Sequence, residues 1–586
     1  MVNLINIAFL AWELAVQGAT ASAPPDSIRT LRDAARRAEV VFERLSRQLA
    51  PIRWGGLDGG QCDEHVGRFC LIYDSGRLPD PAPEPVPVIE ARRVAIEALR
   101  RSFTFLPADF ETAGPLVRYL IEDDRADEAV PAARLFFAES RDSIWGPLLV
   151  GFSLHAARRD TTAERYFSIA LPRLEPAEQA RIDALDWLLG AADRRAYRKL
   201  EEEARKSFAE KLWRFSDPLY LTPGNERRNE HLTRHVWSRI LAHTPVVRDM
   251  VRWGEDLEQL TVRYGIPSSK TRSPGWGATE GSLVEHYDPD QLAWVPEDLL
   301  TRGPEPTPVP GAAWSLDATR NRSGYAPATL RRLTAMHHQV SRFPAADGAV
   351  LRVDGLFVAD SVSAGKPTLQ TGFRVMDTMF ATVIDRASER ELLADSLNVA
   401  FEAYLQPGEY VYSLEALEPD TRHAMRARYA TAIDSAAAGL RVSDPVITRA
   451  WRGRSPDGRG DAAFEPVPRL SFSREDTVGI YAEVHGLPPG RASFDVRLSI
   501  EPASRASLPI RIASWIGDRL GLHSPAPPPR LQWSTEWSAD GPAILAVDLF
   551  LNDVRNGVQV VVLDVVDPRS GRTTTSRRIL LIEPGS

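Results

Sequence analysis

The chain is short of cysteine, of lysine and of long apolar runs, and each shortage excludes something. Two cysteines in 586 residues are too few for a thiolate-rich metal site. Of the 71 basic residues only five are lysine, which reads as codon bias in a GC-rich genome and not as phosphate recognition. The net charge of −8 argues against broad nucleic-acid binding, which needs a basic surface to displace counterions. Past the N-terminus no stretch reaches the roughly 18 apolar residues that span a bilayer, so no transmembrane segment is expected. No phosphate loop, dinucleotide fingerprint or Gly-x-Ser-x-Gly elbow stands in proper context, and no cofactor or metal is expected. What remains is ordinary: 43% hydrophobic and 26% charged residues, enough apolar content for several packed domains.

The two cysteines, Cys62 and Cys70, stand eight positions apart. That spacing favours a local disulfide and hence an oxidising compartment. The N-terminus agrees. Leu4 to Trp12 is an apolar run, and Ala19-Thr20-Ala21 is a small-x-small cleavage pattern. Residues 1–21 are therefore a candidate signal peptide, although no Lys or Arg precedes the run and Glu13 interrupts it. The expected location is the periplasm, the outer membrane or the outside of the cell.

From Asp26 to about residue 50 the residues Ile28, Leu31, Ala35, Ala38, Phe42, Leu45 and Leu49 recur at three and four, one stripe of an amphipathic helix. With the cysteine loop and the spacer Pro79 to Pro87 it makes up residues 22–87. Residues 88–210 read as a helical domain carrying a 34-residue echo. Ala129, Ala133 and Phe136 return as Ala163, Phe167 and Ala170. Thirty-four is the tetratricopeptide period, in which small residues let paired helices approach closely. A third helix pair is expected from Ala184 to Phe208. A mixed segment occupies 211–300. In it Thr222 reads as an N-cap ahead of Pro223, and the helix that follows buries Leu232, Val236 and Ile240. Val262 to Tyr264 reads as a short strand turned by Gly265 and Pro267. A proline-rich linker follows at 301–312. The period then falls to two, and two β-sandwiches of immunoglobulin type are expected at 313–440 and 446–586. The turn at Asp347-Gly348 and the boundary at Ser443-Asp444-Pro445 help to frame them. The fold class is multidomain α+β.

The middle segment resembles a known family. Trp213, Asp217 and Pro218, then Thr222, Asn225 and Glu226, then Tyr264, Gly265 and Pro267 match in order and spacing the motifs of the GWxTD family of exported bacterial proteins. The signature itself survives at Arg252-Trp253-Gly254-Glu255-Asp256 only as Trp253 and Asp256. A second Gly-Trp, at Gly275-Trp276, falls after the Tyr-Gly-x-Pro element. The resemblance covers about a sixth of the chain. It implies export, and a central module between tetratricopeptide-like helices and sandwich domains. It implies no chemistry.

Candidate catalytic residues are the carboxylates Asp217, Glu226, Glu230 and Asp256. Glu226 and Glu230 lie four apart on one helical face and could divide acid and base roles if their surroundings separate their pKa values. His231 and His235 have the spacing of two metal ligands, but the glutamate does not stand between them as in zinc hydrolases, and no third ligand is evident. His337 and His338 on a strand would face opposite ways. Trp213, Trp237, Trp253 and Trp276 could line a binding groove or fill a core. Ser507 to Leu522 reads as an amphipathic helix, with Arg511 and Arg519 suited to peripheral envelope contact. The leading functional expectation is an exported, non-enzymatic protein presenting interaction surfaces to a protein partner. A hydrolase of envelope polymer or peptide using the four carboxylates is the alternative, and a glycan-binding protein using the tryptophans is a third.

Overall fold

The computed structural model describes residues 25–52, 62–72, 83–272, 283–287, 324–327, 329–359, 368–392, 394–435, 439–451, 453–487, 492–502, 530–538 and 541–583. The candidate signal peptide 1–21, the linker 301–312, Trp276 and the segment 507–522 lie outside them. The chain is mixed α and β, with helices first and sheets after. It divides into two compact units. Unit 1 holds residues 1–303 and 313–330, and unit 2 holds 304–312 and 331–586. No helix among the described residues is long and apolar enough to cross a membrane.

Unit 1 begins with α1, Pro25–Gln48. Its apolar stripe turns inward except at Leu49, which is exposed just past the helix end, and Glu39 and Glu43 are buried on the same face. A short hairpin follows, β1 (Glu64–Val66) and β2 (Phe69–Leu71), closed by the Cys62–Cys70 disulfide. Helices α2 (Val86–Phe105), α3 (Phe110–Glu122), α4 (Ala126–Ser140), α5 (Trp145–Ala156) and α6 (Asp160–Ala170) then pack in succession.

The 34-residue echo is geometric. Between α3 and α4, Asp124 takes a left-handed φ of 56°, and Arg125 N donates to Leu120 O. Between α5 and α6, Arg158 takes φ 59°, and Arg159 N donates to Leu154 O. All six residues of the echo are buried, Ala129, Ala133 and Phe136 on α4, Ala163, Phe167 and Ala170 on α6.

After α7 (Pro176–Asp183), α8 (Ala191–Tyr197) and α9 (Glu202–Ser216) comes α10, Glu226–His243. Asn225 caps it, its Oδ1 accepting from Arg228 N at 2.9 Å. Thr222 is not the cap. Its hydroxyl donates to Leu219 O, and Gly224 at φ +89° turns the chain between Pro223 and the helix. Leu232, Val236, Trp237, Ile240 and Leu241 of α10 join the core built by α2 to α6. Helix α11 runs Glu255–Tyr264. The strand expected at Val262 to Tyr264 is thus the last turn of a helix, ended where Gly265 takes φ +77°. A two-stranded ribbon, β3 (Ser269–Arg272) with β4 (Leu283–His286), follows.

Unit 2 holds two pairs of facing sheets. The first pair comprises β5 (Arg332–Ala335), β6 (His337–Pro344), β7 (Ala349–Val358), β8 (Thr368–Asp377), β9 (Thr382–Glu391), β10 (Ser396–Leu405), β11 (Gly408–Glu418) and β12 (His423–Ile433). One sheet has the order β10-β7-β6 and the other β5-β12-β11-β8-β9. Leu351 and Val353 of the first meet Phe373, Val375 and Leu414 of the second in one core. Asp347-Gly348 does close the β6–β7 hairpin. The turn at Gln406-Pro407-Gly408 joins no hairpin: β10 pairs with β7 while β11 pairs with β8 and β12, so the chain changes sheets there. Sheet alternation exposes His337 and buries His338, as expected.

The second pair begins with β13 (Arg441–Val442), β14 (Val446–Arg449), β15 (Ser471–Phe472), β16 (Thr477–His485) and β17 (Ala492–Pro502). It continues with β18 (Arg530–Trp537), β19 (Ala543–Phe550), β20 (Gly557–Val566) and β21 (Thr573–Ile582). One sheet has β16 between β13, β14 and β19, and the other runs β15-β21-β20-β17-β18. Their shared core includes Ile480, Phe494, Leu545 and Leu563.

The two pairs are joined by buried and part-buried polar contacts. Gln339 bonds Ile447 N, Ile447 O and Val467 O. Arg342 and Asp444 form a bidentate ion pair at 2.8 and 3.1 Å. Arg578 reaches the Ser341 hydroxyl at 2.8 Å.

Candidate functional site

Helix α10 and its cap gather several of the motif residues of unit 1. Gly224 lies so close to α6 that a Cβ there would come within 2.9 Å of Thr161 N. That contact sets the helix start against the start of α6. Asn225 Nδ2 donates to Trp213 O at 2.7 Å, tying α10 back to α9. Asn229 donates to the backbone and carboxylate of Asp160.

At the centre is His155, from the end of α5. Its Nδ1 is 2.6 Å from Asp160 Oδ1 and its Nε2 is 2.9 Å from Glu230 Oε2. Burial works to lower the imidazole, but the bonds to Asp160 and Glu230 override it and raise it to about 10. Glu230 also accepts from Arg234 Nε. Burial opposes its charge, yet Arg234 and His155 hold it well below the usual carboxylate range. Arg234 continues the chain, donating to Arg263 O at 2.8 Å and Val262 O at 3.3 Å. Gly265 is forced by this contact: a Cβ there would sit 3.0 Å from the Arg234 guanidinium.

Glu226 points elsewhere. It accepts from the Thr329 hydroxyl at 2.8 Å, with the Tyr325 hydroxyl 3.5 Å away. Burial raises its pKa, against the Thr329 bond. Arg227, 1% exposed, lies between the rings of Trp213 and Tyr325, 5.7 and 5.3 Å from their centroids. Burial, with the charge of Arg234, lowers its guanidinium to about 9.

Asp256 belongs to a different cluster. Arg68 of the disulfide hairpin grips it at 2.6 and 2.8 Å, and it accepts from the amides of Arg68 and Leu257. The Arg68 bonds hold its carboxyl well below the usual range. Arg263 pairs in the same way with Glu64, so the hairpin is clamped to α11. Asp217 is buried at the end of α9. The four expected carboxylates therefore do not share one set of partners, and only Glu226 and Glu230 stand on one element.

The tryptophans do not form one wall. Trp237 is 2% exposed and meets Phe152 edge-on in the core. Trp213 is half-buried against His231, with ring centroids 4.7 Å apart. Trp253 is half-buried and packs on the helical core. His231 and His235 are buried, and burial pushes both well down, His235 to about 3. No group of three or more His, Cys, Asp or Glu among the described residues could hold a metal.

Sequence reasoning missed His155, Asp160, Tyr325 and Thr329. The first two had a signal. One period earlier, their places are held by Ile121 and Ala126. A polar pair interrupting an apolar echo marks a position that the repeat alone does not explain.

Chemically, both imidazole nitrogens of His155 are engaged, which leaves no lone pair for base catalysis or for a metal. The row Asp160, His155, Glu230, Arg234 is an internal staple linking α5, α6, α10 and the end of α11.

No family model matches the chain, and no curated protein does. Among solved structures, a β-glucuronidase of Bacteroides uniformis aligns over 40% of this chain and 26% of that one, at 8% identity and TM-score 0.16. A transglutaminase of red sea bream aligns over 42% of this chain and 32% of that one, at 10% identity and TM-score 0.13. The chain thus spans about a quarter to a third of the length of these proteins, and scores this low lend no support to a shared fold or activity.

Proposed function

We propose that the protein is an exported member of the GWxTD family that presents interaction surfaces to a protein partner in the cell envelope and carries out no reaction of its own. On this reading α3 to α6 are tetratricopeptide-like hairpins, and the two sheet pairs of unit 2 are immunoglobulin-like spacers. The observation that carries the proposal is the employment of the motif residues. Asn225, Asp256 and Gly265 of the motifs each fasten one element of unit 1 to another, and so does Glu230, which with Asp256 is one of the four carboxylates of the hydrolase reading. The Cys62–Cys70 bond supports export, because such bonds persist in oxidising compartments.

The helical hairpins supply the surface. Arg134 of α4 and Ser168 of α6 are both exposed and one period apart, so they stand at equivalent places on the two repeats. A photo-reactive amino acid at each position, in the native cell, tests the idea. Both should cross-link to the same envelope polypeptide. Cross-links to cytoplasmic proteins, or none at either position, would overturn the proposal.

A further inference from the structure

The burial of Arg227 is not repaid by any hydrogen-bond partner for its Nε and Nη1. Both atoms are buried and unpartnered, although the side chain is 1% exposed. No carboxylate comes within salt-bridge distance of it among the described residues. Glu226 is occupied by Thr329, and Glu230 by His155 and Arg234. A guanidinium out of water with unpaired N–H groups is costly, and its planar fork matches a carboxylate in shape and charge.

Two aromatic rings flank the guanidinium. Trp213 on one side and Tyr325 on another hold the guanidinium by their ring faces. Trp213 is only half-buried, so it is a wall with one side in solvent. One turn further along α10 lies a second unpartnered atom. His231 Nε2 bonds Ile182 O, which leaves buried Nδ1 with no partner.

We propose that Arg227 is a binding site for the carboxylate of a small monoanionic ligand or of a peptide, seated behind Trp213. The fork of Arg227 takes the carboxylate, and His231 Nδ1 accepts a hydrogen bond from a donor on the same ligand. Nearby Glu226 and Glu230 select against a phosphate dianion, whose extra charge they would repel. Tyr325, its ring 5.3 Å from the guanidinium carbon, is the second aromatic wall of the site. The site is independent of the repeat surface proposed above.

Thermal unfolding of the full chain in sodium acetate against sodium chloride of equal ionic strength tests this. Acetate should raise the Tm of the wild type saturably beyond chloride, because a ligand that binds only the folded state stabilises it by mass action. Arg227→Met should lose that acetate-specific rise, and its Tm in chloride should not fall below that of the wild type. Inorganic phosphate should act less than acetate. The proposal is overturned if acetate and chloride act alike on the wild type, or if acetate acts equally on both proteins. It is also overturned if phosphate exceeds acetate. Should Arg227→Met fail to fold, Arg227→Lys takes its place: lysine keeps the charge and loses the fork, so the acetate response should drop several-fold. An unchanged response in that variant, or no saturation transfer from wild-type protein to the acetate methyl signal by NMR, overturns the site.

Discussion

Glu39 and Glu43 stand one turn apart on the buried face of α1 and are treated differently. Glu43 accepts from Arg118, from the Tyr119 hydroxyl and from Asp249 N. Glu39 is 2% exposed and its Oε2 has no partner. Burial therefore raises its carboxyl from 4.5 to about 8, against the pull of Arg118 and with the help of Glu43. The folded chain keeps a proton that the unfolded chain has released. Stability is complete below 4.5 and is lost as pH rises toward 8, by at most about 1.4 kcal/mol per pH unit for one proton. His155, raised to about 10, adds a second loss that is absent below 6.5 and grows as pH rises through its folded value. Glu39→Gln should flatten the first decline and leave the second, as read from urea unfolding at acidic, neutral and alkaline pH. Among the tryptophans, Trp237→Ala should cost roughly 3–5 kcal/mol, as for a fully buried ring. Trp253→Ala should cost less, because that ring is half-buried; chemical unfolding of the two variants ranks them. The inward stripe of α1 was legible from its spacing. The two acids within it were not, since Arg118 and Asp249, the partners of Glu43, are distant in sequence and only the fold brings them there.

At the scale of elements, the echo between α4 and α6 could be read because small residues at one period report close helix contact. The error at Val262 to Tyr264 has a plain cause: a β-branched residue and an aromatic ahead of Gly-x-Pro look alike at a helix end and at a strand end. Gly265 decides it, through its left-handed φ and its contact with Arg234. Gly265→Ala should therefore destabilise unit 1 by more than about 1 kcal/mol, since the new methyl meets both the strained φ and the guanidinium. Circular dichroism melts will show it. The motif carboxylates were legible as a set but not as two sets, because nothing in the spacing says that Asp256 faces a hairpin nearly two hundred residues earlier. Reducing the Cys62–Cys70 bond should cost about 2–3 kcal/mol of loop-closure entropy. The loss should fall on β1, β2 and α11, which Arg68 and Arg263 bind together. Hydrogen exchange of these segments with and without reductant measures it, and equal protection in both would refute the clamp.

At the scale of the whole molecule, the fall of the period to two beyond the proline-rich linker marked the passage from helices to sheets, whose first described strand begins at Arg332. The described residues just ahead of the first strand, 324–327 and 329–330, belong to unit 1. Tyr325 and Thr329 explain why: they are held by Arg227 and Glu226 of α10, contacts that no periodicity reveals. Within unit 2, Asp444 takes Arg342 in a bidentate pair, while Arg578 reaches across to Ser341. Asp444→Ala leaves Arg342 without its carboxylate, and breaking such a pair by removing one partner is strongly destabilising. The variant should unfold in calorimetry with the two sheet pairs melting apart, where the wild-type unit melts as one. A single unshifted transition would show that the joint contributes little.

Strand β6 is the outer strand of its sheet, yet its rim is occupied. Asp444 N donates to Arg342 O, Asp444 accepts from Arg342 N, and the Gln339 amide takes the slots of Ile447. The segment after β12 thus works as a stopper on a hydrogen-bonding rim that would otherwise be free to recruit a strand from another molecule. Whoever cuts this protein for separate study inherits the consequence. A fragment ending at residue 440 keeps every strand of its own two sheets and loses the stopper. It should self-associate on concentration, whereas a fragment carried through residue 586 should remain monomeric in sedimentation.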